Sequence, residues 1–429
     1  MKTKTIAFHT LGCKLNFSET ADISRRFTDG LFREVGFHEV ADIYVINSCT
    51  VTKNAEKRCK ELIRKAMKIN PEAHVAVIGC YSQISPDELA AIPGVSLVLG
   101  NTEKYLLKDH LTNLGQSPVE SQITDIRESS PEVFVPTFSG EERTRSFFKI
   151  QDGCDYKCAY CTIPKARGKS RSNTIEATLR TASEIAGANI REMVLTGVNI
   201  GDFGKPHGET FYQLLKELAA MEKPERIRLS SVEPDLLTDP IIELVAGEER
   251  LMPHFHIPLQ SGSDTILRAM GRRYNTGIFA GRVEKIRKHM PHACIAADLI
   301  VGYPGETDEL FRESFDFLSK IDVSYIHVFS YSERAHTKAA EMTGKVDSAV
   351  RKQRSKELHA LSAWKKNAFH EYNRGLQTKV LWEKDREWEY MSGFTENYIR
   401  VETLYDINKV NTIENVVLNI TGKNGVYRV

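Results

Sequence analysis

Strand-like and helix-like stretches alternate along most of this 429-residue chain. The apolar runs TIAFHT (5–10), IYVINS (43–48) and HVAVIG (74–79) read as strands, and SLVLG (96–100) adds a fourth. Helical spacing covers 18–31 and 54–69 between them. Repeated strand–helix units fold into a parallel sheet with helices on its faces. The pattern weakens over 111–145, where Pro, Ser and charge dominate, and this stretch reads as a linker. It then resumes for six rounds, with strands at 147–151, 192–197, 226–231, 254–259, 295–302 and 325–330 and helices such as 174–188 and 306–320. Six such units make an open, partial (βα)6 barrel. A basic helix follows at 348–374, and 376–429 is all short strands and turns, the pattern of a small β-barrel. The expected class is therefore α/β with an all-β end. The expected domains are 1–110, the 111–145 linker, 146–347, a 348–375 connecting helix and 376–429.

The cysteines fall into this frame in an ordered way. Cys154, Cys158 and Cys161 form a CxxxCxxC run in GCDYKCAYCTIPKARG, directly after the first barrel strand. Thiolates this close grip a soft metal centre, iron–sulfur or zinc. A closed zinc site wants a fourth ligand, which the neighbourhood lacks. A 4Fe–4S cluster on three cysteines instead leaves one iron open for chemistry. Cys13, Cys49 and Cys80 each follow a strand of the first sheet. Ligands bind beyond the carboxyl ends of parallel strands, so these three converge as a second site, unless they are ordinary core thiols. Cys59 lies on an apolar helical stripe and Cys294 opens a strand, and both read as structural.

The other barrel loops carry small and polar residues at the same rim: Thr196, Gly197 and Asn199; Ser230, Ser231 and Glu233; Gln260 and Ser261; Gly302 and Gly305. Each set alone is a common cap or turn, but together they form one mouth suited to a polar cofactor. The net charge of +1 gives no whole-chain case for nucleic acid. Basic residues do cluster from Arg143 to Arg171 and along 348–374, as phosphate contacts or as a solvated face. MKTKTIAFHTLGCKLN enters a strand with no signal-peptide core, and no apolar run reaches the about 18 residues of a membrane span. A cytoplasmic protein with reduced thiols and no membrane partner is the expectation.

The order of motifs resembles the radical S-adenosylmethionine (SAM) methylthiotransferases over essentially the whole chain. TLGCKLN, INSCTVTKNAEKRCK, VIGCYSQ, CDYKCAYCTIPKARG, VLTGVNIG, LSSVEP, HIPLQSGSDTILRAMGRRY and DLIVGYPGET carry the likeness. The resemblance implies a radical SAM barrel, an N-terminal cluster domain and a C-terminal TRAM-like barrel. It implies two 4Fe–4S clusters, on Cys154, Cys158 and Cys161 and on Cys13, Cys49 and Cys80. The first binds SAM and cleaves it to a 5′-deoxyadenosyl radical, fed by an external electron donor. The second supplies sulfur that another SAM methylates. Tyr160, Thr196, Gly197, Asn199, Ser231, Glu233 and Gln260 would then contact SAM, with Tyr160 by the adenine. Such cofactors carry the C–H chemistry, so no acid–base triad is required.

Within that family, GCKLN resembles the branch acting on threonylcarbamoyl-adenosine beside the anticodon of tRNA, adding a 2-methylthio group. The anticodon stem-loop is then the partner. A carboxylate on that base would suit Lys14, Arg272 and Arg273. The rivals are isopentenyl-adenosine in tRNA, a ribosomal-protein aspartate, or an iron–sulfur RNA-binding or sulfur-carrier protein without SAM chemistry.

Overall fold

The computed structural model describes all residues except 1–2, 29, 113–119, 123–133, 141–143, 388 and 422–425. Its first layer is a parallel sheet of β1 (Lys4–Thr10), β2 (Phe32–Val35), β3 (Ile43–Ser48), β4 (His74–Gly79), β5 (Val95–Leu99) and β6 (Glu120–Gln122). The strand order is β2-β1-β3-β4-β5-β6, with every neighbouring pair parallel. β3 is buried along its whole length, as a central strand covered on both faces must be.

The first helix spans Lys14–Arg25, not 18–31. The chain leaves it at Arg26, turns at Gly30 (φ +78°) and adds β2 to the sheet edge. Phe27, inside the expected helix, packs edge-to-face on Phe32 of β2 with ring centres 5.1 Å apart, forming a corner at the sheet edge. The stretch expected to be a linker also contributes structure. β6 joins the first sheet, and β7 (Thr137–Phe138) pairs antiparallel with β8 (Arg145–Lys149).

The central layer is β8, β9 (Glu192–Thr196), β10 (Arg226–Leu229), β11 (His254–Gln260), β12 (Cys294–Val301) and β13 (Tyr325–Ser330). β8–β9–β10 and β11–β12–β13 are parallel ladders joined by single bridges such as Ser231 to His256, which makes the staves of an open six-stranded barrel. Odd and even positions divide cleanly. Phe148, Met193, Leu195, Ile227, Leu229, Phe255, Ile257, Ile295, Ala297 and Ile326 enter the core beneath the outer helices. The alternate positions, including Glu192, Arg226, Arg228, His254, His256, Asp298 and His327, face the other way, into the lumen.

The C-terminal layer is a curled all-β sheet of β14 (Gln377–Glu387), β15 (Tyr390–Thr395), β16 (Arg400–Leu404), β17 (Ile413–Val417), β18 (Ile420–Thr421) and β19 (Tyr427–Arg428), ordered β17-β14-β15-β16-β19-β18. It seals the lower end of the barrel. Arg226 donates to the carbonyls of Phe394 (3.0 Å) and Lys379 (2.8 Å), and Arg228 to that of Glu396 (3.0 Å). Between them Tyr398 packs tilted against His254 with ring centres 4.5 Å apart, held at φ +65°, a strained conformation for an aromatic residue. The helix Ser348–Tyr372 straps β13 to this sheet. Much of its expected basic face is spent there: Arg354 is buried against Glu306 (2.7 Å) and Asp308 (2.6 Å), and Lys365 donates to the Ile321 carbonyl (2.7 Å). Among the described residues no helix is long and apolar enough to cross a membrane.

Candidate cluster sites and the chamber between them

Cys13, Cys49 and Cys80 follow β1, β3 and β4, three neighbours in the sheet, so strand order alone brings them to one rim. Gly12 adopts φ +101°, and a Cβ there would come within 3.0 Å of Cys49 Sγ, so only glycine lets the first turn reach the second thiol. Cys13 caps the helix Lys14–Arg25 and Cys80 begins another, Cys80–Ile84. A helix start favours a thiolate. Cys80 Sγ also accepts from Asn101 Nδ2 at 3.6 Å.

In the second group each sulfur receives its own N–H. Tyr156 N reaches Cys154 (3.4 Å), Ile163 N reaches Cys161 (3.4 Å) and Arg272 Nη1 reaches Cys158 (3.1 Å). The loop folds back on itself at Gly153 (φ +69°), where a Cβ would meet the Lys169 carbonyl at 1.9 Å. Burial pushes the bare thiols of Cys49, Cys154 and Cys161 up to about 12, so a metal centre must displace their protons.

Among the described residues only His256, Asp298 and His327 bring three metal-ligating atoms within 4.8 Å of one another. Both thiol triads are wider. A tetrahedral zinc with bonds of about 2.3 Å would hold its sulfurs about 3.8 Å apart, closer than the sulfurs of either triad lie. N–H donors aimed at sulfur are the usual surroundings of cluster thiolates.

A buried ion network fuses the two sites. Glu19 accepts from Lys104 (2.6 Å), from Arg167 through both nitrogens (3.0 Å each) and from Lys149 (3.2 Å), and all four side chains are at most 1% exposed. Arg167 also holds Asn16 (2.6 Å) and Asp152 (3.0 Å), and Asp152 holds Arg171 (2.9 Å). Burial opposes ionisation of Glu19, but Arg167, Lys104 and Lys149 outweigh it and hold the carboxyl well below its ordinary range. Burial draws Lys104 down to about 8. Four cations face two carboxylates here, and the Cys80 thiol is the first of the groups that stabilise the Arg167 charge. The excess positive charge matches a site of anionic thiolates. Asn101, donating also to the Ala166 carbonyl at 2.7 Å, touches both cluster segments at once.

The expected cofactor contacts lie at the barrel mouth. Gln151 links the cluster loop to the end of β9: its amide donates to the Gly153 carbonyl (2.8 Å) and its oxygen accepts from Asn199 N (2.8 Å). Gly197 packs against Gln151 so closely that a Cβ would sit 2.9 Å from its oxygen. Thr196 ends β9, its hydroxyl donating to the Val194 carbonyl at 3.0 Å. Asn199 Oδ1 and Ser230 Oγ are buried without a hydrogen-bond partner among the described residues. Such groups are costly unless a ligand satisfies them, and a nucleoside bearing an amino acid fits that need. Gln260 closes β11 at φ +68°. Tyr160 sits edge-to-face on Tyr303, ring centres 6.4 Å apart.

Some residues stand elsewhere than expected. Glu233 is ion-paired with Arg272, whose guanidinium also donates to Cys158 Sγ. Arg272 thus serves the cluster loop instead of standing free for a substrate. Arg273 lies exposed over the Tyr156 ring at 4.0 Å. Lys14 extends over Phe147 into the barrel, 5.9 Å from the ring centre. Of the basic run, Arg143 lies outside the described residues, Arg145 is paired with Glu383 (2.8 Å), and Lys149, Arg167 and Arg171 belong to the buried network. Only Lys157, Lys165 and Lys169 of that run are exposed. Cys59 and Cys294 are buried thiols, apart from both triads, and burial pushes each up to about 12.

The lumen was not read from the sequence. Its signal is the alternation within strands: RIRL, HFHIP and YIHVF place Arg226, Arg228, His254, His256, Tyr325 and His327 on one side. The ion network has no local signal, since Glu19 and Arg167 are 148 positions apart.

Residues 5–100 match the uncharacterized protein family UPF0004, and residues 148–318 match the Radical SAM superfamily. The chain is 38% identical to the threonylcarbamoyladenosine tRNA methylthiotransferase MtaB of Bacillus subtilis (strain 168), over 92% of this chain and 90% of that protein. It is 35% identical to the MtaB of Thermotoga maritima, covering 99% of this chain and 96% of that one. It is 29% identical to the tRNA-2-methylthio-N(6)-dimethylallyladenosine synthase of Desulfotalea psychrophila, covering 93% and 92%. The radical S-adenosylmethionine methyltransferase TsrM of Kitasatospora setae, solved with cobalamin and a [4Fe-4S] cluster, shares the fold at a TM-score of 0.56 and 13% identity, over 79% of this chain and 77% of that one. Fold and thiol sites define a radical SAM enzyme with a second thiol site. The chain belongs to the family of radical SAM tRNA methylthiotransferases.

Proposed function

We infer that this protein methylthiolates carbon two of threonylcarbamoyl-adenosine in tRNA, using two 4Fe–4S clusters and SAM. One observation carries the reading: two three-thiol sites in separate sheets are fused through Arg167, Glu19 and Asn101 across a shared mouth. Cys154, Cys158 and Cys161 hold the cluster that binds SAM, and Cys13, Cys49 and Cys80 hold the other. Bound there, these groups supply the radical that breaks a C–H bond and the methylated sulfur that replaces it.

The chain's own residues do the positioning. Three N–H donors fix the sulfurs of the CxxxCxxC loop, and Arg272 is locked over Cys158 by Glu233. Thr196, Gly197, Asn199, Ser231 and Gln260 line the mouth where SAM lies, with Tyr160 beside its adenine. The floor formed by Tyr398 and the C-terminal sheet closes the lower end of the chamber. RNA-binding proteins favour unstacked loop bases, so the substrate is the anticodon stem-loop, with the purine beside the anticodon splayed into the chamber. The exposed Lys157, Lys165 and Lys169 beside the mouth, with Lys352, Lys356 and Lys366 on the strap helix, supply phosphate contacts. An external one-electron donor and the cytoplasm, where tRNA is modified, complete the reading.

The test compares tRNA nucleosides by mass from cells with and without this protein. Loss of the 2-methylthio derivative of threonylcarbamoyl-adenosine alone is expected. Loss of the isopentenyl derivative instead, or an unchanged nucleoside set, overturns the assignment.

A further inference from the structure

We propose that the barrel lumen contains a receptor for the carboxylate of an amino-acid substituent on the target base, with Lys14 as the cation that binds it. The proposal rests on the reaction assigned above and names the residues that would make it selective.

Lys14 follows a cluster cysteine in sequence but points elsewhere. Cys13 faces Cys80 and Arg167, whereas the Lys14 ammonium lies over Phe147 among Tyr398, Arg145, Arg228 and Glu192, within electrostatic reach of His254 and His327. The neighbouring charges are committed. Arg228 grips Glu192 through two nitrogens (2.7 and 3.0 Å), and Arg145 holds Glu383. Among the described residues Lys14 has neither an ion-pair partner nor a hydrogen bond. A half-buried ammonium whose neighbouring carboxylate, Glu192, is already held by Arg228, facing the lumen of an enzyme, is a site awaiting an anion.

The surrounding wall is built for a polar guest. His256 donates or accepts at both ring nitrogens, to Ser231 Oγ (2.8 Å) through Nδ1 and to Asp298 Oδ1 (2.7 Å) through Nε2. The Asp298 carboxylate fixes the tautomer: Nε2 donates to it, and the bare Nδ1 accepts from the Ser231 hydroxyl. Ser231 Oγ then turns its lone pairs toward the lumen as an acceptor. Both nitrogens of His256 are occupied, so a metal on His256, Asp298 and His327 would have to break this relay. His254 Nδ1 is buried with no partner among the described residues, and His327 projects from β13 beside His256, ring centres 5.3 Å apart. A cation, an inward acceptor and the unsatisfied His254 nitrogen together complement a group with a carboxylate at one end and N–H donors near the base. A carbamoyl-linked amino acid has both, whereas an isopentenyl group has neither.

The experiment uses the cluster-loaded full chain and three anticodon stem-loops, bearing threonylcarbamoyl-adenosine, its neutral carboxamide analogue, or isopentenyl-adenosine. The quantity read is the ratio of kcat/KM for acid over carboxamide on one preparation, which cancels any loss of cluster or folded protein. Equilibrium binding without reductant gives the same ratio independently of turnover. The wild-type ratio is expected at about 10- to 100-fold, the range of a charge-assisted hydrogen bond. Lys14→Met should bring both ratios close to one, and Lys14→Arg should restore most of the preference. Retention of the wild-type ratio by Lys14→Met overturns the receptor. A wild-type enzyme that modifies isopentenyl-adenosine but not threonylcarbamoyl-adenosine overturns the parent reading instead, so the two failures are distinct.

Discussion

Replacing Glu19 with Gln keeps the shape of the buried network and removes one of its two carboxylates. Lys104, Lys149, Arg167 and Arg171 would then face Asp152 alone. Removing one partner of a buried ion pair typically costs about 3–5 kcal/mol, because the other charge stays in a dry site. The network has one way to limit that cost. Lys104 is already drawn down to about 8 with Glu19 present, and without that carboxylate its pKa falls further and it sheds its proton. Neutralising a lysine of ordinary pKa about 10.4 at pH 7 costs about 4.6 kcal/mol at about 1.36 kcal/mol per unit, so both routes predict a similar loss at neutral pH. They differ in pH dependence. A lysine with a depressed folded pKa leaves the unfolded state holding more protons above that pKa, so stability rises with pH until about 10.4. Wild-type Lys104 is still charged at pH 6–7.5 and contributes little slope there. The stability gap between Glu19→Gln and wild type should therefore narrow between pH 6 and pH 7.5, by up to about 1.4 kcal/mol per unit. Anaerobic urea unfolding followed by circular dichroism measures it. A variant that unfolds at the wild-type urea concentration at both pH values would refute the claim that this network holds the two cluster segments together.

Replacing Cys154, Cys158 and Cys161 together with Ala should lower the iron of reconstituted protein from about eight atoms to about four, because three-cysteine sites each hold one 4Fe–4S cluster; complete loss of iron would contradict two independent sites. Cys59→Ser and Cys294→Ser should keep full iron content, since neither thiol belongs to a triad, and loss of one cluster's worth of iron in either would show that the triads are wrongly drawn. Arg228, Arg145 and Arg226 outweigh burial and hold the Glu192 carboxyl at about 2, against an ordinary 4.5. Its stabilisation of about 3 kcal/mol is present above pH 4.5 and lost as pH falls toward 2, so Glu192→Gln should flatten the acid limb of an unfolding-versus-pH curve, and an unchanged acid limb would argue against the assignment.

The sequence exposed what is periodic or locally spaced. Strand–helix alternation located both parallel layers, and cysteines placed after β1, β3 and β4 pointed to one rim. It misled where meaning depends on distant partners. The lysines and arginines from 143 to 171 read as phosphate contacts or a solvated face, yet Arg167 and Lys149 answer to Glu19 in another layer. Arg354 and Lys365 on the strap helix are likewise turned inward. The 18–31 helix ends early for a different reason: Phe27 suits helical spacing but packs on Phe32 of the edge strand β2. His256 and His327 lie within strands and carry no strand-end signal, because a barrel also displays every second residue along its staves.

The docking of the C-terminal sheet has a practical meaning. Its backbone carbonyls are the partners of Arg226 and Arg228, and Tyr398 fills the space beneath His254. A chain cut before β14 would lose more than an outer surface. It would strip two guanidiniums of their carbonyl acceptors, leave Glu192 open to water and turn a cup into a tube. Truncation at that boundary is therefore a poor way to separate substrate capture from chemistry in this enzyme: a shortened protein that binds no RNA and makes no product would have failed in two places at once, whereas single substitutions on the outer face of the sheet leave the cup intact.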